Sequence, residues 1–344
     1  QGKKMSKSLG NVIAPQEVIK ANGADIVRLW VSAEDYRDDV RLSKEIISRL
    51  TEAYRKIRNT GRFLLGNISD FDGKDYSANL LEIDRWAMSR LQGLIRKVTE
   101  AYEDFNFHEA FHSIYNFCIV DMSSFYLDIL KDRLYTFRED SVERRAAQWV
   151  MYRILVDMTR LMAPVLSFTA EEIWNYIPRG QVYDPWVTTH RGSRVKGQVI
   201  EESVFLSSFP IVREEFLDEE LEKKWGRLIK VRDEANKALE IKRKDKFIGN
   251  ALEAKLVFYL PDEEFNLFQA YKDFLPALFI VSEVEINPFS LKTEDAYASE
   301  EVKNLYIKVE RASGGKCERC WNWKVSVGKF EDHPHVCERC HNVI

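Results

Sequence analysis

Across residues 42–177 the apolar side chains recur every three to four positions, with few interruptions. That spacing collects them on one face of a helix. Several such runs joined by short connections bury those faces most simply against one another. One run carries Ile46, Ile47, Leu50, Tyr54 and Ile57, and the next Ile83, Ala87, Leu91, Leu94, Val98, Tyr102 and Phe105. A third extends from His108 through Phe111, Tyr115, Ile119, Met122 and Tyr126 to Ile129. Ser141, with Glu143 in the following turn, opens a fourth that continues to Leu161 and stops before Pro164. Thr169-Ala170-Glu171-Glu172 has the form of a capping box and starts a last helix ending near Pro178. The expectation is a bundle of four or five long helices.

The flanking segments have other patterns. Before the bundle come a lysine-bearing loop, a helix from Pro15 through Lys20, and a short strand from Ile26 to Val31 after Gly23. Behind it, residues 181–210 are poorly periodic and carry Pro185, Gly192 and Gly197, which suits a surface connector. A charged helix over residues 218–244 then leads to a strand at 256–260. Further strands are expected at 279–286 and 305–309, with a helix at 263–274. Gly314-Gly315 punctuates the start of a cysteine-containing end. The fold class is mainly α: a helical bundle over residues 42–180, a connector at 181–217, a small α+β domain at 218–313 and a four-cysteine zinc module at 314–344, preceded by the edge of another domain at 1–41.

With 45% hydrophobic residues in 344, the chain has enough apolar material for roughly two or three domains. No apolar run approaches the roughly 18 residues of a membrane span, and no charged-then-apolar leader opens the chain, so a cytoplasmic location and no membrane partner are expected. The net charge of −4 and pI near 6.0 give no global sign of nucleic-acid binding. Residues 44–62 and 227–246 each carry a local net charge of +4. Each stretch fits either a solvated helix face or a surface that contacts phosphates.

Four of the five cysteines lie in the last 28 residues, which argues against a disulfide framework and for metal ligation. Cys317 and Cys320 form one CxxC pair, Cys337 and Cys340 another, with sixteen residues between them. That is the spacing of a closed four-thiolate zinc site binding one Zn2+. The metal either staples the end of the chain or presents a recognition surface. Trp321 and Trp323, beside Arg319 and Lys324, supply the aromatic and basic groups on which unpaired bases stack. His333, His335 and His341 are read as surface or supporting groups, and Cys118 as a small buried apolar side chain.

Lys4-Met5-Ser6-Lys7-Ser8, followed by Leu9-Gly10-Asn11, places two lysines on a short loop of Ser and Gly, suited to the phosphates of a nucleotide. The same stretch resembles, without a mismatch, the signature loop of class I aminoacyl-tRNA synthetases. Gly23-Ala24-Asp25 leading to Arg28-Leu29-Trp30, then Tyr54-Arg55-Lys56-Ile57-Arg58-Asn59-Thr60, Lys131-Asp132-Arg133-Leu134-Tyr135 and the run from Ala163 to Trp174 look like the isoleucine, valine, leucine and methionine branch. The terminal Cys317-Glu318-Arg319-Cys320-Trp321 with its second CxxC is similar to the bacterial isoleucyl enzymes.

The resemblance covers essentially the whole chain. It implies a segment from the signature loop through an anticodon-binding helical domain to a zinc module, in an enzyme that forms an aminoacyl-adenylate from ATP and isoleucine and transfers it to tRNA(Ile). Lys7 would contact ATP directly, supported by Lys4, with Ser6 and Ser8 ordering the loop and Mg2+ accompanying the nucleotide. Arg55, Lys56, Arg58, Arg62, Trp321 and Arg319 would contact tRNA. In the family a nucleotide-binding fold with a His-containing signature and an editing domain precede this loop, so a monomeric chain that binds tRNA without making adenylate is expected. The alternatives are a valyl enzyme, which in the family ends in a coiled coil, and a non-catalytic zinc-dependent RNA-binding module.

Overall fold

The computed structural model describes residues 5–178 and 201–344, so Lys4 and residues 181–200 of the expected connector lie outside the described residues. Contacts divide the chain into two compact units, Gln1–Asp128 with Asp140–Glu219, and Ile129–Glu139 with Glu220–Ile344.

The first unit is helical. Its main members are Lys44–Asn67, Glu82–Glu103, Phe107–Asn116, Val142–Met162 and Ser167–Tyr176. Val142–Met162 is buried at every position from Ala146 to Met162, as expected of a helix surrounded by others. Ser141 caps it, its Oγ accepting from the Arg144 N–H at 3.3 Å. This core helix also carries Arg153, Asp157 and Arg160. Buried charge is costly unless paired, and Asp157 lies 3.3 Å from Arg160 and 3.9 Å from Arg153, while Arg160 covers the Trp174 ring at 5.4 Å. Gly61 marks the closest approach of two helices, since a Cβ there would sit 2.9 Å from Ile173 Cδ1.

Several expectations are corrected. Residues 26–31 are not a strand but part of the Ala24–Ala33 helix. A short bulky apolar run fits either form, and helical spacing here packs Ile26 with Val18 and Ile47. The run from His108 to Ile129 is helical throughout, but Phe117–Tyr126 widens into a π-helix. There Ser124 Oγ donates to the carbonyls of Ile119 at 2.8 Å and Val120 at 3.0 Å. The box at Thr169 does not cap its helix, which already starts at Ser167 with no cap from its own preceding side chain. The cap comes from the Ala24–Ala33 helix: the Asp25 carboxylate accepts from the N–H groups of Phe168 at 3.3 Å and Thr169 at 2.8 Å, and from Thr169 Oγ1 at 2.6 Å.

The second unit joins the Glu219–Lys244 helix, from Glu220 onward, to a four-stranded sheet. The sheet holds β1 (Ala254–Leu260), β2 (Glu283–Pro288), β3 (Tyr297–Ala298) and β4 (Tyr306–Arg311), in the order β2-β1-β4-β3. β1 pairs in parallel with β2, Phe258 opposite Ile286, and antiparallel with β4, Phe258 opposite Ile307. Its central place explains the uninterrupted run Leu256-Val257-Phe258-Tyr259-Leu260, all buried. The strand expected at 279–286 begins only at Glu283. Phe279 instead ends the Leu275–Phe279 helix, and Ile280 turns the chain with φ of +54°.

Candidate functional site

The last thirty residues hang on a small hairpin, β5 (Gly315–Lys316) against β6 (Trp323–Lys324). Gly314 enters it with φ of +88°, and a Cβ there would lie 2.3 Å from the Lys324 carbonyl carbon, so the backbones meet only because no side chain is present. The hairpin is fastened to the sheet unit at Ser282. The Trp323 N–H donates to Ser282 Oγ at 2.7 Å, and Lys324 Nζ donates to the Ser282 carbonyl at 2.8 Å. Trp323, expected to be exposed, is therefore half-buried.

Cys317, Cys320, Cys337 and Cys340 are all buried, with their sulfurs within 4.8 Å of one another. Cys320 Sγ and Cys337 Sγ are 3.7 Å apart. A tetrahedral zinc ion with Zn–S bonds of about 2.3 Å spaces its sulfurs by about 3.8 Å, so the donor set fits one Zn2+. Burial is the largest influence on the Cys317 thiol and pushes it up, but the backbone N–H groups of Cys320, Cys337 and Arg319 outweigh it and bring it down to about 6. A thiolate accepting such bonds is prepared for a cation. Burial raises Cys337 and Cys340 instead. Apart from the cysteines, the core of this module has only Val336 and the partly buried Val327.

Two arginines join this module to the segment 129–139 within the same unit. Arg339 makes a two-point pair with Asp132 and lies 5.8 Å from the Phe137 ring. Arg319, read from the sequence as a tRNA contact, donates to the Thr136 carbonyl and to Cys340 Sγ. Its guanidinium thus ties the first CxxC knuckle to residues 129–139 while the residue stays half-exposed.

Trp321 is 61% exposed, with Lys316 Nζ 5.7 Å from the centre of its ring. Its backbone has φ of +62°, and its N–H donates to the Cys317 carbonyl at 2.8 Å to close the first cysteine knuckle. A bulky residue in the left-handed region costs roughly 1–2 kcal/mol relative to a right-handed position, and strain of this kind gathers at functional positions.

On the bundle, Arg55, Lys56, Arg58 and Arg62 all project from the exposed side of the Lys44–Asn67 helix, opposite the buried Ala53, Ile57 and Leu64. Arg55 is 3.7 Å from Glu52 and Arg58 3.6 Å from Glu172, loose surface pairs that a phosphate readily displaces. The other basic stretch is built into its unit only in part, its end at Arg243, Lys244 and Lys246 being exposed. Arg232 is buried and donates to the Leu278 carbonyl, Arg227 pairs with Glu263 and Glu264, and Lys237 with Glu234 and Glu301.

At the other end of the chain, Lys7–Leu9 forms one 3₁₀ turn. Ser6 Oγ accepts from the Leu9 N–H at 3.3 Å and lies 3.0 Å from Ser8 Oγ, while Asn11 Oδ1 accepts from the Ser6 N–H at 2.8 Å. The two serines thus lie in the hydrogen bonds that define the turn. The Asp132–Arg339 pair and the Asp25 cap have no signal in the sequence, because partners more than a hundred residues apart leave no periodic trace. Cys118 is fully buried, and burial pushes its thiol up to about 12.

The first unit is thus a helical bundle with an exposed basic helix face, and the second ends in a four-cysteine module that carries an exposed tryptophan. Residues 84–258 match the anticodon-binding domain of tRNA ligases, residues 1–43 the class I tRNA synthetases of the I, L, M and V group, and residues 314–343 the zinc finger found in FPG and IleRS. The chain belongs to the tRNA ligases that carry this anticodon-binding domain. It is 49% identical over 99% of its length to the isoleucine–tRNA ligase of Syntrophotalea carbinolica, and 47% identical over its full length to that of Natranaerobius thermophilus. It spans 35% and 36% of those two proteins. Among the described residues, no helix is long and apolar enough to cross a membrane.

Proposed function

We propose that this chain is the signature-loop and tRNA-binding portion of an isoleucine–tRNA ligase, an enzyme that activates isoleucine with ATP and transfers it to tRNA(Ile). One observation carries the reading: the signature loop, the anticodon-binding domain and the zinc finger follow one another in a single chain that aligns end to end with isoleucine–tRNA ligases. The terminal four-cysteine finger disfavours the valyl alternative, and the loop at Lys4-Met5-Ser6-Lys7-Ser8 disfavours a non-catalytic module.

In adenylate formation negative charge grows on the α-phosphate and on the departing pyrophosphate. Lys7, assisted by Lys4, places ammonium groups against that charge, stabilising the transition state more than bound ATP. Ser6 and Ser8 set the turn that presents Lys7, and Mg2+ accompanies the nucleotide. Arg55, Lys56, Arg58 and Arg62 hold the phosphates of the tRNA, and Trp321 stacks on an unpaired base of the anticodon arm. Zn2+ on Cys317, Cys320, Cys337 and Cys340 fixes the backbone that carries Trp321. The protein works as a monomer in the cytoplasm, where translation takes place.

The test is tRNA binding by the 344-residue chain as a function of salt. Arg55→Ala and Arg62→Ala should each weaken binding and lower the slope of log affinity against log salt by about 1. A tRNA(Ile) lacking its anticodon arm should lose most of its affinity. Equal binding of the truncated and intact RNAs would overturn the reading.

A further inference from the structure

The zinc module contains a second donor set that the four cysteines do not use. Asp332, His333 and His341 each bring one ligand atom to within 4.8 Å of the other two. The imidazole Nδ1 atoms of His333 and His341 face each other at 3.2 Å. The Asp332 carboxylate spans the pair, with Oδ2 3.7 Å from His333 Nδ1 and Oδ1 3.8 Å from His341 Nδ1. We propose that these three residues form a second site for a divalent transition metal, open to solvent and separate from the four-cysteine centre.

Two facing lone pairs would repel, so the close approach of the nitrogens needs an N–H on one ring donating to the other or a metal ion between them. The geometry favours the metal. Zinc–nitrogen bonds of about 2.05 Å in a tetrahedral site place the two nitrogens about 3.3 Å apart, close to the spacing observed. The carboxylate lies beyond hydrogen-bonding reach of both Nδ1 atoms and nearly equidistant from them. A hydrogen bond between the two nitrogens leaves it unused, whereas an ion held between the rings engages all three groups.

The His341 ring is also held in place. His341 stacks on Phe330 with centroids 4.1 Å apart and planes 9° from parallel. It ends the short Glu338–His341 helix, whose backbone is set by Cys337 and Cys340. Two imidazoles and one carboxylate suit Zn2+ and its neighbours in the first transition row rather than Mg2+ or Ca2+. Asp332 is 66% exposed at its side chain, so water completes the coordination and the ion exchanges, unlike one enclosed by four buried thiolates. An ion here also ties the segment before the second CxxC pair to the end of the helix that the pair frames.

The experiment uses the whole chain with its four-cysteine centre filled by one equivalent of Zn2+, excess metal removed, and Co2+ added. The expected result is one further equivalent of Co2+ with weak d–d absorption and no sulfur-to-cobalt charge-transfer band. His333→Ala and His341→Ala should each abolish that equivalent while retaining one zinc per chain, and Asp332→Asn should weaken it. Retained zinc shows that the module still folds in each variant. Failure to take up a second equivalent, or uptake that survives His333→Ala, overturns the proposal.

Discussion

Asp132 and Arg339, 207 residues apart in sequence, face each other in a two-point pair, Nη1 2.5 Å from Oδ2 and Nη2 2.7 Å from Oδ1. The fork geometry matches carboxylate to guanidinium, and it joins the helix within the second CxxC to a segment that follows the π-helix. Both side chains remain partly in solvent, so the net value is modest, about 1 kcal/mol. Asp132→Asn should lower the unfolding free energy of the second unit by about that amount and raise amide exchange at residues 338–341. Unchanged exchange there would show that Ser282 and the Thr136 carbonyl suffice to hold the module.

Metal removal is expected to act locally. With four cysteines and two valines as its core, the module cannot bury enough apolar surface to fold alone, and zinc supplies on the order of 10 kcal/mol in comparable small sites. Stripping the metal with a chelator, or Cys320→Ser, should unprotect residues 315–341 in hydrogen exchange while leaving the helices of the first unit protected. Loss of protection throughout the chain would refute a local role.

Acid should weaken the second unit through Glu234. Burial raises this carboxyl, but hydrogen bonds from Lys237, Ser299 and the Glu300 N–H outweigh it and hold it at about 2, below the 4.5 of a free glutamate. Its ionised form therefore stabilises the fold above pH 4.5, and that contribution, on the order of 2–3 kcal/mol, is lost as pH falls toward 2. Urea unfolding of wild type and Glu234→Gln should differ at pH 7 and converge near pH 2. A constant difference across that range would exclude the mechanism.

Asp25 illustrates both what the sequence carries and what it hides. The apolar rhythm of residues 42–177 locates the main helices because burial of a helix face is a local, periodic requirement. Four cysteines at fixed spacing locate the zinc site because coordination geometry dictates the spacing. The cap on Ser167–Tyr176 comes instead from Asp25, 144 residues before Thr169, and no local pattern encodes such a partner. The helical form of Ile26–Val31 is hidden for the same reason: the run is short, and its form is decided by Val18 and Ile47. Asp25→Ala should cost roughly 1–2 kcal/mol, the range for a lost N-cap, in the melting of the first unit. Asp25→Asn, which keeps an acceptor, should restore part of it.

Trp321 separates stability from recognition. Its φ of +62° is one that glycine adopts without penalty, and its side chain, 61% exposed, adds little to the packing of the module. A residue chosen for folding alone would be glycine. Trp321→Gly should therefore retain zinc and raise the stability of the module by roughly 1 kcal/mol. The same change removes the ring beside Lys316, and stacking of one base is worth roughly 1–3 kcal/mol. Affinity for tRNA should fall by about 5- to 150-fold in a protein that melts no earlier than wild type. Binding that survives the substitution would leave the strained backbone without a functional reason and move recognition to the arginines of the bundle, whereas loss of zinc would make the indole a structural part of the knuckle.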